Sequence, residues 1–379
     1  MIKADLGLSK FQVTLIVMAS VVATIPLRVA VGWAVDMFGG RRVFTFLMAA
    51  SFLPSAAMAF SRSFAWLFVC RIFLGLIGAG FVVGIQIIDC WFRGPDIGKA
   101  EGIYAGWGNA GSAGAAFVLS SLGSWIGWRW SFIFSASLLL FYAPVFYFFV
   151  RDTPFGDIPD LKKARVSRVK HIQGASLLKN RSVILLSFIY AACFGAELTA
   201  VAYLPSYLRE SFGLSLKAAG LLAGLFGLTV IFARPLGGAL ADQFDGKKIL
   251  AVSLLLEGVC FVLLPLQSLA APAVMAIVLC AVATHFSTGS EFSLVPSVVP
   301  NHSGKVAGYV GAGGNIGGLL FPVAFGSLGY RWGFALMGLC AISAALLVRF
   351  VRLEDKLETD LQGIWGTGRV VMIPSMEAL

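Results

Sequence analysis

Residues Pro26–Arg42 read PLRVAVGWAVDMFGGRR, and residues Phe232–Phe244 read FARPLGGALADQF. In each stretch an arginine (Arg28, Arg234) stands inside an apolar run, eight residues before an aspartate (Asp36, Asp242). The offset of 206 residues, from Arg28 to Arg234, holds well beyond these stretches. The tripeptide GLS at Gly7–Ser9 recurs at Gly213–Ser215. Gly32, Asp36, Phe38 and Gly40 map onto Gly238, Asp242, Phe244 and Gly246, and the basic pair Arg41–Arg42 maps onto Lys247–Lys248. Farther on, Lys99, Gly102, Gly108, Asn109 and Gly111 match Lys305, Gly308, Gly314, Asn315 and Gly317. After a slip of four residues, Gly127, Arg129 and Trp130 match Gly329, Arg331 and Trp332. Register kept across so many residue types defines a duplicated architecture.

Composition gives the class. The chain has 379 residues, 58% hydrophobic and 13% charged, against about 25% charged in ordinary soluble domains. Its apolar runs are roughly 18 to 27 residues long, enough to cross a hydrocarbon core of about 30 Å. Eleven spans are predicted, at about 12–34, 43–60, 65–91, 100–122, 130–150, 181–208, 216–240, 249–269, 272–299, 304–326 and 332–351. The fold class is therefore an all-α polytopic membrane protein. The polar start, MIKADLGLSKF, and the long run after it do not read as a cleavable signal. Six cysteines stand singly in apolar segments and three histidines lie far apart, so no metal site or disulfide framework is indicated. No nucleophile–base pair or cofactor loop stands out, which argues against an enzyme.

The net charge of +10 is explained by its placement. Basic residues gather in alternate connections: Arg41 and Arg42; Arg93 and Lys99; six between Lys162 and Lys179; Lys247 and Lys248; Lys305; and the tail from Arg352. By the positive-inside rule these connections are cytoplasmic, in a multi-pass protein of the plasma (inner) membrane. Charge set by topology leaves nucleic acid an improbable partner; the partner is the lipid bilayer. The predicted organisation is an N-terminal helical half (1–150), a cytoplasmic linker (151–180), a six-helix half (181–351) and a cytoplasmic tail (352–379). A full span precedes the second GLS and only six residues precede the first. The repeat thus predicts a six-plus-six plan with the first helix missing, either because the true start lies upstream or because the chain is shortened.

Depth singles out candidate site residues. At 1.5 Å per residue, Arg28 and Arg234 lie about 12 Å above the aspartates at the ends of their spans. Asn109 and Asn315, each ten residues past a lysine, lie about 15 Å in, so all four sit near the midplane. An arginine there costs at least about 2.5–3.5 kcal/mol and needs a partner or a task. It can pair with a buried acid, the candidates being Glu197, Glu257, Glu291 and Asp89. Alternatively, the pseudo-twofold brings Arg28 and Arg234 together as a cationic clamp for a small anion, whose oxygens suit the planar guanidinium fork. Gly106, Gly108, Gly111, Gly313, Gly314 and Gly317 suit close helix contact, while the buried amides of Asn109 and Asn315 need a hydrogen-bonding partner. Asp36 and Asp242, with Arg41 and Arg42, read as a conformational latch, accepting from neighbouring helix ends or pairing with the basic residues. Glu197 either carries a proton during coupling or is hydrogen-bonded within the bundle.

At these residues the chain resembles the major facilitator superfamily, on the Gly32–Arg42 loop, its echo and the six-plus-six repeat. More narrowly it resembles the nitrate/nitrite porters. GWGNAG (Gly106–Gly111) and GAGGNIGG (Gly311–Gly318) match that family's paired signature segments, and the two arginine stretches match its substrate arginines. The resemblance implies a secondary transporter of nitrate, nitrite or both, working by alternating access, with no cofactor and with the anion between Arg28 and Arg234. FGAEL at Phe194–Leu198 resembles uptake-type members and implies a proton as second partner; nitrate–nitrite exchange is the other mode. Two rival readings are an organic-phosphate antiporter of the same superfamily and a non-transporting, transporter-like sensor.

Overall fold

The computed structural model describes residues 2–92, 96–154, 156, 177–300 and 302–354. Most of the 151–180 linker, Arg93 and the tail beyond Glu354 lie outside the described residues. The described residues form a helical bundle. Its membrane helices are α1 (Lys10–Phe38), α2 (Gly40–Ala59), α3 (Phe64–Trp91), α4 (Ile97–Ile126), α5 (Trp128–Phe149), α6 (Arg181–Phe212), α7 (Lys217–Gln243), α8 (Gly246–Leu266) and α9 (Ala270–Ser297). The last helical stretch, Ser303–Phe350, is broken at Gly329 into α10 (303–328) and α11 (330–347). Among the described residues nine helices are long and apolar enough to cross a membrane, the last of them broken at Gly329. With α10 and α11 counted apart and the 30-residue α4, long enough at about 1.5 Å per residue, they make up the eleven segments that the sequence predicts.

The repeated tripeptides have local reasons. In both GLS copies the serine caps a helix: Ser9 Oγ accepts from the Gln12 N–H at 3.1 Å, and Ser215 Oγ from the Ala218 N–H at 3.2 Å. Gln12 returns the bond to Ser9, completing a capping box. The matched Gly127 and Gly329 turn α4 into α5 and α10 into α11 at φ of +84° and +74°, a region closed to side chains without strain. Gly329→Ala is expected to cost about 1–2 kcal/mol, seen as a lower midpoint of thermal unfolding in detergent.

Helix α6 gives the second half its centre. It packs along α10, where a Cβ on Gly313 would meet Ser187 backbone and one on Gly317 would meet Ala191 backbone. Its buried face (Leu186, Ile189, Tyr190) joins Leu250 and Leu254 of α8 in one core. The short helix Ile2–Asp5 stands where the repeat places the last turn of α6.

Between the two sets of helices the contacts are made by small residues, because only they let backbones meet. On one side α1 meets α10: a Cβ on Gly308 would lie 2.6 Å from the Arg28 carbonyl oxygen, and Gly32 lies against Gly304. On the other side α4 meets α7: a Cβ on Gly102 would lie 2.8 Å from the Arg234 carbonyl oxygen, and Gly238 lies against Gly98. The two crossings are related by the 206-residue offset. They place both arginines beside the central seam.

Candidate functional site

Arg28 and Arg234 are 6% and 1% exposed and line the same cavity of about 450 Å³. Phe81 ties them together, its ring centroid 5.4 Å from the Arg28 guanidinium carbon and 5.7 Å from that of Arg234. Such a cation–ring contact contributes about 0.5–2 kcal/mol. Phe194 adds a second ring to Arg28 at 5.7 Å, and Phe292 one to Arg234 at 5.9 Å. At about 30 Å³ per water molecule, the cavity has room for a small polyatomic ion and several waters.

The arginines match in sequence but not in partners. Arg28 Nη1 donates to the Gly311 carbonyl at 2.7 Å and Nε to the Gly78 carbonyl at 3.3 Å. Gly78 lies in α3 where that helix is irregular between Phe73 and Phe81, and Thr24 takes the neighbouring Gly75 carbonyl at 3.0 Å. Irregular backbone at membrane depth needs such donors. Arg234 Nη2 donates to the Tyr190 hydroxyl at 3.2 Å, and Nη1 stands 3.9 Å from Glu197 Oε2. Nε and Nη1 of Arg234 have no hydrogen-bond partner. Of the two expectations for the arginines, a buried acid stands beside Arg234 alone, and the shared cavity joins them both.

The two asparagines separate. Asn109, in α4, lines the cavity and donates from Nδ2 to Glu197 Oε1 at 2.9 Å. Asn315 is buried, is not among the residues lining the cavity, and its Nδ2 has no hydrogen-bond partner. Asn109 finds its acceptor on α6, across the seam, and Asn315 does not line the cavity. The signature glycines divide the same way. Gly106 meets the Val230 carbonyl oxygen (2.9 Å to an added Cβ), Gly313 and Gly317 meet α6, and Gly314 lies under the rings of Tyr190 and Phe194. Gly108 and Gly111 meet nothing within 4 Å, so the expected close helix contact is absent at these two; Gly108 lines the cavity instead.

At the end of the bundle that carries Lys99 and Lys305, the seam is closed by two matching contacts. Asp36 accepts from the N–H groups of Gly304 and Lys305 at 3.1 and 3.0 Å. Asp242 accepts from those of Gly98 and Lys99 at 2.9 and 2.8 Å. Neither α4 nor α10 has a side-chain cap from its own N-cap residue; each takes a carboxylate from the opposite set of helices, where the helix dipole favours it. At the same end, the Arg41 N–H donates to Asp152 Oδ1 at 2.6 Å, and its side chain binds the Tyr147 carbonyl and covers the Tyr147 ring.

Two of the site's contributors, Tyr190 and Phe81, escape the sequence reading. Tyr190, Phe194 and Glu197 fall on one face of α6 at helical spacing, a signal available once Glu197 is singled out. Phe81 carries no such signal among 32 phenylalanines.

Membrane-spanning helices around a buried cavity with two guanidinium groups define a multi-pass membrane protein with a cationic site inside its bundle. The chain belongs to the Major Facilitator Superfamily, whose profile matches residues 1–218 and 186–374. It is 27% identical to the nitrate/nitrite transporter NrtP of Nostoc punctiforme, over 93% of this chain and 87% of that protein. It is 29% identical to the probable nitrate transporter NarT of Staphylococcus epidermidis, over 85% of this chain and 81% of that one. Its fold resembles that of the transporter FucP in the outward conformation, with TM-score 0.73 at 15% identity over 91% of each chain. These relatives are transporters, not enzymes.

Proposed function

We propose that this chain is a secondary transporter of nitrate, nitrite or both, working by alternating access, with the anion held between Arg28 and Arg234. The observation that carries this reading is the shared buried cavity, in which Arg234 keeps Nε and Nη1 without partners. A planar oxyanion satisfies such a fork through two parallel bonds. The names of the relatives support nitrate and nitrite as the anions.

Tyr190 and Asn109 complete the binding surface. The Tyr190 hydroxyl, held by Arg234, supplies a polar edge between the arginines, and Asn109 fixes the orientation of Glu197. Glu197 stands where it can link anion movement to protons. The halves are residues 1–150 and 181–351, joined by the 151–180 linker, which with the 352–379 tail is cytoplasmic. On that orientation Asp36 and Asp242 close the cytoplasmic side and release it when the halves rock.

The test is counterflow in proteoliposomes: vesicles loaded with nitrite are expected to accumulate labelled nitrate saturably, unaffected by excess organic phosphate ester. Counterflow driven by the ester and not by nitrite would overturn the assignment in favour of an organic-phosphate antiporter. Binding without flux would overturn it in favour of a sensor. Tyr190→Phe is expected to weaken nitrate half-saturation roughly 10- to 100-fold, the loss of one hydrogen bond to a charged centre.

A further inference from the structure

We propose that His285 and Glu197 together hold the transported proton, and that an anion on Arg234 is what makes them take it up. This rests on the anion-transport reading above and names the coupling site within it.

His285 lies on α9 and is fully buried, its ring beside that of Phe226. Its Nε2 is 3.0 Å from the Phe226 carbonyl oxygen, close to the irregularity of α7 at Thr229. A carbonyl can only accept, so Nε2 carries the hydrogen. In the neutral ring Nδ1 then presents a lone pair. That lone pair faces Glu197 Oε2 across 3.6 Å, and neither atom has a hydrogen-bond partner. Two acceptors therefore oppose each other in the buried interior. One proton turns the opposition into a bond, as carboxyl O–H to nitrogen or as imidazolium N–H to carboxylate.

The same carboxylate oxygen also faces Arg234. At 3.9 Å from Nη1 the contact is an ion pair too long to be a hydrogen bond, so the guanidinium is free to turn its donors to an anion in the cavity. An anion drawn between Arg28 and Arg234 competes with Glu197 for the Arg234 guanidinium. A carboxylate that loses that contact in low dielectric is in a costly arrangement. Uptake of one proton by the Glu197–His285 pair offsets the loss: one negative charge arrives at the arginines and one positive charge on the pair, with no electron transfer. On release of the anion, Arg234 again balances Glu197 and the proton leaves.

Among the described residues the cations near the pair are Arg234 and, across the shared cavity, Arg28. Glu257 of α8 accepts from Ser287 Oγ at 2.7 Å, and Glu291 of α9 from the Cys193 thiol at 3.3 Å. Both acids are in electrostatic range of the centre, as is the Tyr190 phenol. By the 206-residue offset, His285, Glu257 and Glu291 correspond to Ala79, Ser51 and Ile85. The duplicated scaffold carries the arginines in both halves; the ionisable cluster is an addition to the second.

The test reads protons directly. Nitrate is added to the purified full-length chain in lightly buffered detergent, with a pH dye. Uptake of one proton per bound nitrate is expected for the wild type, falling at least tenfold in His285→Gln. In proteoliposomes the same variant is expected to lose the stimulation of nitrate uptake by external acid, while nitrate–nitrite counterflow continues. Glu257→Gln and Glu291→Gln are expected to keep both responses, and the wild-type measurement stands whether or not a variant folds. Wild-type proton uptake in His285→Gln would overturn the proposal, as would stimulation by a sodium gradient in place of a proton gradient. Wild-type counterflow without proton uptake overturns the coupling site and leaves the anion reading intact. Absence of counterflow overturns both.

Discussion

Replacing either Arg28 or Arg234 by lysine is expected to reduce saturable nitrate uptake at least about 100-fold. A lysine keeps the charge and loses the planar fork, so a bidentate contact becomes a point contact. It also loses the arrangement around Phe81, whose ring serves both guanidinium groups. The two variants are expected to fail differently. In Arg28→Lys the Gly311 and Gly78 carbonyls lose their donor, so some of the effect is a looser contact between α1, α3 and α10. In Arg234→Lys the loss falls on the Tyr190 and Glu197 contacts, and proton stimulation is expected to disappear with uptake. Initial rates in proteoliposomes, with reconstituted protein quantified, check both; uptake within threefold of wild type in either variant contradicts the clamp.

The second large effect concerns the closed end of the seam. A carboxylate capping a helix N-terminus contributes about 1–2 kcal/mol. Asp36 and Asp242 each do so across the seam, binding residues 268 and 144 positions away in sequence. The Asp36→Ala, Asp242→Ala double variant is therefore expected to shift the equilibrium between closed and open basic ends by roughly 30- to 1000-fold toward open. Spin-label distances between the basic ends of α1 and α10, and of α4 and α7, are expected to lengthen in the double variant. Each single variant is expected to give about half the free-energy shift. Distance distributions unchanged in the double variant contradict the latch.

The spans, the two arginines and their equal depth were legible because a charge inside an apolar run is costly wherever the chain folds. The GLS and Gly127/Gly329 repeats were legible for a similar reason, since capping and positive φ are local demands. Partner choice was not. For Asp36 the sequence leaves open whether it accepts from helix ends or pairs with the nearby basic residues; the N–H donors it meets lie on α10, across the seam. The equal placing of Asn109 and Asn315 suggests equal roles, yet the acceptor that Asn109 meets lies on α6 and Asn315 does not line the cavity. Gly108 and Gly111 read as contact glycines and meet nothing within 4 Å. His285 is one of three scattered histidines in the sequence, and the carbonyl and carboxylate that define its chemistry come from α7 and α6.

The central claim is that one anion is held jointly by Arg28 and Arg234. Equilibrium binding of labelled nitrate to the purified chain tests it most directly. One saturable site per chain is expected in the wild type, with its affinity lost to a similar extent in Arg28→Lys, in Arg234→Lys and in the double variant, because the arginines act as a unit. Saturable wild-type affinity in either single variant, or losses that add independently in the double, would contradict it.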